Sequence, residues 1–303
     1  MAAPRSRRRY LAERRGFLAT LLISPAVLFI GVLVGAPLAL AIYLSFTDAT
    51  AGSLSGKWLG LGNYRAALHD QIFRDALWNT VVFTVISQAV VIVCAGLLAH
   101  ALVRTFRGRW ALRFLILLPW AAPIALTAIG FLWFYDPQAS IFTWFLVHLH
   151  LVDKSNLPNW LGTPRAAMSS IITVQAWRVL PFATIIFLAG ISSIPQEVDD
   201  AAAMDGATGL KKFWYVSLPL QLPIALVAVL FGIVFTATDM VVPYILTNGG
   251  PFNSTQVLTT YAFQTGINAG NIGEGAAIAL FMLPLLAAVT IGMLFFARRA
   301  EVT

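Results

Sequence analysis

Three side chains stand out because each is polar within a long apolar stretch: Gln88, Gln175 and Asp239. Arg178 follows Gln175 by three residues, one helical turn on. An amide or a charge in an apolar medium costs a few kcal/mol unless it meets a partner or water. Such residues glue helices together or line a path for a polar solute. A sugar path needs hydrogen-bonding groups and flat rings for the apolar faces of the solute. Asn79 and Asn248 extend the polar set, and Trp120, Trp177 and Tyr244 supply rings. A second chemistry is open to the same residues. Asp239 and Arg178 could titrate as a pair and carry protons, as in a proton-coupled secondary transporter.

Other chemistries are excluded. Cys94 is the only cysteine, so neither an internal disulfide nor a Cys-based metal site can form. His69, His100, His148 and His150 show no metal-ligand spacing, and no metal site is expected. The nearest approach to a phosphate-binding loop, Gly52–Trp58, has the wrong spacing and ends in Trp where Ser or Thr is required. The chain is therefore expected to be non-catalytic, with energy supplied by a partner or an ion gradient.

These residues sit in elements that composition defines. Hydrophobic residues make up 59% of the 303 residues and charged residues 11%, against about 25% charged in a soluble domain. The apolar residues come in long blocks, which points to membrane-spanning helices rather than the alternating strands of a β-barrel. Six blocks each reach the roughly 20 residues that cross a bilayer: 17–46, 76–103, 111–134, 166–191, 218–246 and 276–297. The first is too long for a signal-peptide core, despite Ala39-Leu40-Ala41 resembling a cleavage site, and reads as an uncleaved anchor. Gly31 and Gly35 within it are spaced as in a helix-packing motif.

The net charge of +7 arises from basic residues at block ends, which fits membrane orientation better than nucleic-acid binding. With the N-terminus (1–16) inside, fourteen Lys and Arg fall in cytoplasmic segments and five outside, Arg178 being within a span. Both termini, including the tail 298–303, are thus expected in the cytoplasm. The outer stretch Ile141–Leu151 is aromatic enough to lie on the interface as a short helix.

The cytoplasmic connection 192–217, between the fourth and fifth blocks, is unusual. Ser193 is suited to an N-cap, with Pro195 in the first turn. Glu197, Asp199 and Asp200 fall where a helix dipole favours anions. Gly206 can take the left-handed conformation that ends the helix. A second short helix carrying Phe213, Trp214 and Tyr215 leads to Pro219, giving a helix-turn-helix. It is either a solvated connector or the dock for a partner protein.

The order Asp200-Ala201-Ala202, then Asp205-Gly206-Ala207, Phe213 and Leu218-Pro219 resembles the EAA loop of bacterial ABC-importer permeases. That family has Glu where this chain has Asp200, and Gly206 matches its central glycine. Asn79-Thr80 and Thr247-Asn248-Gly249-Gly250-Pro251, followed by Asn253 and Thr255, resemble the carbohydrate branch that moves maltose, trehalose or glycerol-phosphate. The resemblance implies an all-α membrane protein with six transmembrane helices, of the type I importer fold. It implies that Asp200, Ala201, Ala202, Asp205, Gly206, Ala207 and Phe213 couple to an ATPase dimer, which holds ATP and Mg. It implies a second homologous permease, an extracytoplasmic sugar-binding protein and the bacterial plasma membrane. A disaccharide, with trehalose first among candidates, is the cargo it suggests.

Overall fold

The computed structural model describes residues 15–138 and 140–301. Most of the expected basic N-terminal segment and the last two residues lie outside them. Among the described residues no strand ladder occurs, only the isolated bridges Thr47–Trp58 and Thr50–Ser53. Five helices among them are long and apolar enough to span a membrane: Leu18–Ser45, Gln71–Val103, Pro164–Ser192, Phe213–Ala237 and Ile272–Phe296. The bent pair 109–121 and 124–134 makes a sixth if it is counted as one span.

The first span comprises α1 (Arg15–Ile30) and α2 (Ala36–Ser45), joined by a π-helical stretch, Gly31–Gly35. Pro37 lacks the N–H that would bond the carbonyl four residues earlier, so the turn before it is free to widen. The same arrangement recurs where the π stretch Phe213–Ser217 precedes Pro219. The Gly31/Gly35 motif does not pack within this chain: no atom lies within 4 Å of a Cβ built at Gly31. The outward face of this span is bare, with Leu22, Val27 and Leu28 exposed.

α3 (Gly62–His69) and α4 (Gln71–Val103) follow. Asp70 caps α4, its carboxylate accepting from the Ile72 amide at 3.0 Å. The expected third span is not one helix. α5 (Arg109–Ala121) and α6 (Ile124–Phe134) meet at a 100° bend. Pro123 forces Ala122 into extended backbone, with ψ at 137°, and the helix cannot continue through it. α7 (Ile141–His148) is the short outer helix expected from the aromatic run.

α8 (Pro164–Ser192) is the centre of the molecule. It packs on α4 through a seam of small residues, Ala95 and Ala99 against Ala176 and Ala183, which lets the backbones approach closely. After α9 (Gln196–Met204) and α10 (Gly209–Lys212), α11 (Leu218–Ala237) completes this trio. The expected fifth span, 218–246, stops at Ala237. Residues 238–240 are non-helical and α12 (Val241–Thr247) restarts beyond them. α13 (Leu258–Phe263), α14 (Ile272–Leu280) and α15 (Met282–Glu301) close the fold.

Candidate functional site

Two places carry the residues singled out by sequence. In the connection 192–217, α9 begins two residues later than the Ser193 cap implies. Ser193 instead closes α8, donating its hydroxyl to the Gly190 carbonyl at 2.8 Å, and Pro195 precedes α9 without a side-chain cap. Glu197 and Asp199 occupy the first turn of α9. Its end is a complete Schellman motif. Gly206 takes φ +72°, its N–H bonds Ala203 O at 3.1 Å, and the Ala207 N–H bonds Ala202 O at 2.8 Å. Ala202 and Ala207, the apolar pair of that motif, are both buried. Lys212 reaches back to Asp199 at 2.8 Å and ties the two helices together. Gln196 donates to Asp200 at 3.1 Å, which leaves the Asp200 side chain exposed on the outer face. Phe213 is half-buried, edge-on to His100 with ring centroids 5.2 Å apart. Ala201 and Asp205 are exposed, as are the large apolar surfaces of Met204, Trp214 and Tyr215. The aromatic half is a π stretch continuous with α11, not a free second helix.

Within the membrane, the structure brings Gln88, Gln175, Arg178 and Asp239 into one network around Thr236. Gln88 donates its amide to Thr236 Oγ1 at 2.9 Å. The Gln175 carboxamide lies 3.3–3.4 Å from Thr236, Arg178 and Asp239. Arg178 and Asp239 form a direct ion pair. The other Asp239 oxygen accepts from the Val242 amide at 3.0 Å and so starts α12. Thr259 donates to the Asp239 carbonyl at 3.0 Å. The break at 238–240 thus has its freed backbone groups met. Four helices, α4, α8, α11 and α12, are tied at this one level.

Rings flank the network. Trp177 is 38% exposed and edge-on to Phe131 at 5.3 Å. Trp120 stacks on Phe182 at 5.3 Å and meets Phe235 edge-on at 5.6 Å. Thr173 and Thr238 are exposed beside them. A cleft of about 390 Å³ between α4, α11 and α15 reaches Gln88 of the network and is otherwise walled largely by apolar residues such as Val81, Val85, Ile233 and Leu285. Its walls suit an acyl chain or a helix more than a sugar.

The remaining candidates lie apart from the network. Asn79 donates to the Gln256 carbonyl at 3.1 Å. Asn248 ends α12 at φ +49° and accepts from Gln264 through both its carbonyl (3.1 Å) and side chain (2.9 Å). Tyr244 packs edge-on to Phe263 at 5.3 Å. Sequence reasoning missed Gln256 and Gln264, which bond each other at 2.6 Å. The available signal was the polar run 253–260 directly after the Gly-Gly-Pro turn.

A bundle of long apolar helices tied by a buried polar network is the architecture of a multi-span membrane protein. Residues 92–302 match the family described as binding-protein-dependent transport system inner membrane component, and the chain belongs to it. It is 31% identical over 274 residues to the sulfoquinovosyl glycerol transport system permease protein SmoG of Agrobacterium fabrum, covering 90% of this chain and 88% of that protein. It is 30% identical to the trehalose/maltose transport system permease protein MalF of Thermococcus litoralis, covering 93% and 94% respectively. Among solved structures, a chain of a bacterial alginate ABC transporter superposes with TM-score 0.80 at 18% identity, over 96% of this chain and 98% of that one. The fold is that of an ABC-importer permease.

Proposed function

We propose that the chain is one permease subunit of an ATP-driven sugar importer, with a disaccharide of the trehalose or maltose class as cargo. It pairs with a second, homologous permease. Two ATPase subunits, which bind ATP and Mg, dock at 192–217, and an extracytoplasmic sugar-binding protein delivers the cargo on the outer side. Both termini face the cytoplasm, as the basic bias requires. Asp200, Ala201, Asp205 and Gly206 form the docking face, while Ala202, Ala207 and Phe213 hold it in shape from behind.

The observation that carries this reading is the α9–α10 unit. A solvated connector has no reason to expose Met204, Trp214 and Tyr215 together, whereas a dock does. The cargo class rests on the trehalose/maltose relative above and on the aromatic rings beside the polar network. Along the path, Gln88, Gln175 and Asp239 set the polar level, and Trp120 and Trp177 face the sugar. Asn79, Tyr244 and Asn248 lie toward the outer mouth. A proton-coupled carrier would use the Arg178–Asp239 pair but would leave the α9–α10 unit without a role.

The test is uptake by proteoliposomes holding the whole transporter. Uptake should follow internal ATP and persist with a protonophore present. Uptake that collapses with the protonophore at constant ATP would sink the reading. Gly206→Pro should break the Schellman turn and uncouple ATP hydrolysis from uptake; retained coupling would remove the docking role.

A further inference from the structure

Away from the helix ends, the described spans carry one charged side chain, Arg178, and the charge nearest it in the fold is Asp239. The two pair directly. The Arg178 side chain is 16% exposed and that of Asp239 only 2%. The carboxylate is held further by the Val242 amide and the Gln175 carboxamide. This chain's share of the middle of the path is therefore electrically neutral. What it offers a solute is the accepting oxygens of Thr173 and Thr238, whose protons go to the Ser169 and Val234 carbonyls at 2.8 and 2.7 Å, and the faces of Trp120 and Trp177. A sugar bearing a phosphate, sulfonate or carboxylate loses hydration on entering such a region and requires an uncompensated cation there. Arg178 is the one cation at that depth, and it is already neutralised.

We infer that Asp239 is a specificity-determining residue: by neutralising Arg178 it restricts the path to uncharged sugars. This rests on the sugar-permease reading above and adds the charge class of the cargo. Asp239 acts here through Arg178, as a positioning and neutralising group.

The experiment uses the whole transporter in nanodiscs and two size-matched pairs of probes, trehalose with trehalose 6-phosphate and maltose with maltobionate. Binding is measured by titration calorimetry. The wild-type complex should bind the neutral member of a pair at least tenfold more tightly. Asp239→Asn frees the guanidinium and should shift that ratio at least tenfold toward the anion. The double variant Arg178→Gln/Asp239→Asn, an amide pair without charge, should return to the neutral preference. Retained binding of the neutral sugar by the single variant shows that it is folded. A ratio unchanged within twofold in Asp239→Asn overturns the inference, as does tighter wild-type binding of the anion. ATP-driven import of a charged sugar would overturn this inference alone. Failure of ATP to drive any sugar uptake would overturn the permease reading beneath it.

Discussion

Gly232→Ala tests whether the polar network is packed as tightly as it is bonded. Gly232 lies one turn before Thr236 on α11. A Cβ built there meets Gln88 Oε1 and comes within 2.8 Å of Gln88 Cδ and 3.0 Å of its Nε2. The Gln88 side chain must therefore move. It is 4% exposed, and its amide gives up the 2.9 Å bond to Thr236 when it shifts. Losing a buried hydrogen bond costs about 1–3 kcal/mol, and overpacking adds about 1–3 kcal/mol. The single variant should lose about 2–6 kcal/mol in all. Gln88→Ala alone should lose about 1–3 kcal/mol, since it removes the amide but no backbone moves. In the double variant, the methyl added at position 232 fills space that Gln88 has vacated. Its loss should fall short of the sum of the singles by at least ~1 kcal/mol. The assay is unfolding in mixed micelles, titrated with dodecyl sulfate and followed by circular dichroism. Additivity within about 0.5 kcal/mol would mean that the two residues do not compete for one space, and the packing argument would fail.

Other consequences follow from single features. At Gly206, where φ is +72° and nothing lies within 4 Å of a built Cβ, the cost of substitution is conformational only. ATPase-coupled uptake should fall in the order Gly, Asn, Ala, Val, with Ala costing about 1–2 kcal/mol; equal activity for Asn and Val would refute it. Lys212→Gln should change stability by less than about 1 kcal/mol, because both partners of the Asp199 pair are about a third exposed. A larger loss in the same micelle titration would show that the pair is shielded. At the outer side, Tyr261 donates to Asp70. Burial, then that bond and the Asp70 charge, raise the phenol above its ordinary value of 10.0. Tyr261 should thus ionise at higher pH than an ordinary phenol, so the absorbance at 295 nm that separates wild type from Tyr261→Phe should appear only above pH 10. A raised value also means that the stabilisation is complete below pH 10 and is lost as pH climbs through the folded value. Tyr261→Phe should therefore narrow the difference from wild type only at strongly alkaline pH.

Much of this was legible in sequence because it depends on local rules. Apolar length gives the spans, and Gly206 gives the turn that φ +72° confirms. What escaped was decided by proline and by distant contacts. Pro123 was visible within the third block, yet only the fold shows a 100° bend rather than a mild kink. Ser193 has the right chemistry for a cap, but α8 runs to Ser192 and takes its hydroxyl first. The fifth block reads as continuous because Met240–Leu246 is apolar. The helix stops at Ala237 because Asp239 is committed elsewhere, to Arg178 on α8 and to the Val242 amide. Arg178 and Asp239 stand out in the sequence as a possible pair, but no window along the chain shows that their pairing ends the helix.

That commitment explains why the polar residues and the helix breaks coincide. A break in a span exposes backbone N–H and C=O groups that lipid cannot satisfy. At 238–240 the side chains that meet those groups are also the ones that neutralise the charges. Asp239 gives one oxygen to Val242 and the other to Arg178, and Thr259 takes up the Asp239 carbonyl. Removing the carboxylate therefore does two things at once: it frees a cation and uncaps α12. Asp239→Asn keeps an acceptor for the Val242 amide and loses only the charge, whereas Asp239→Leu loses both. Both leave Arg178 unpaired, at a cost of about 3–5 kcal/mol in the micelle titration; the first should still fold and alter which solutes bind, and the second should lose a further ~1 kcal/mol with the cap. If Leu is tolerated as well as Asn, the break is held by packing of Val242 and Leu246 in the core, and the carboxylate is not what sets the end of the fifth span.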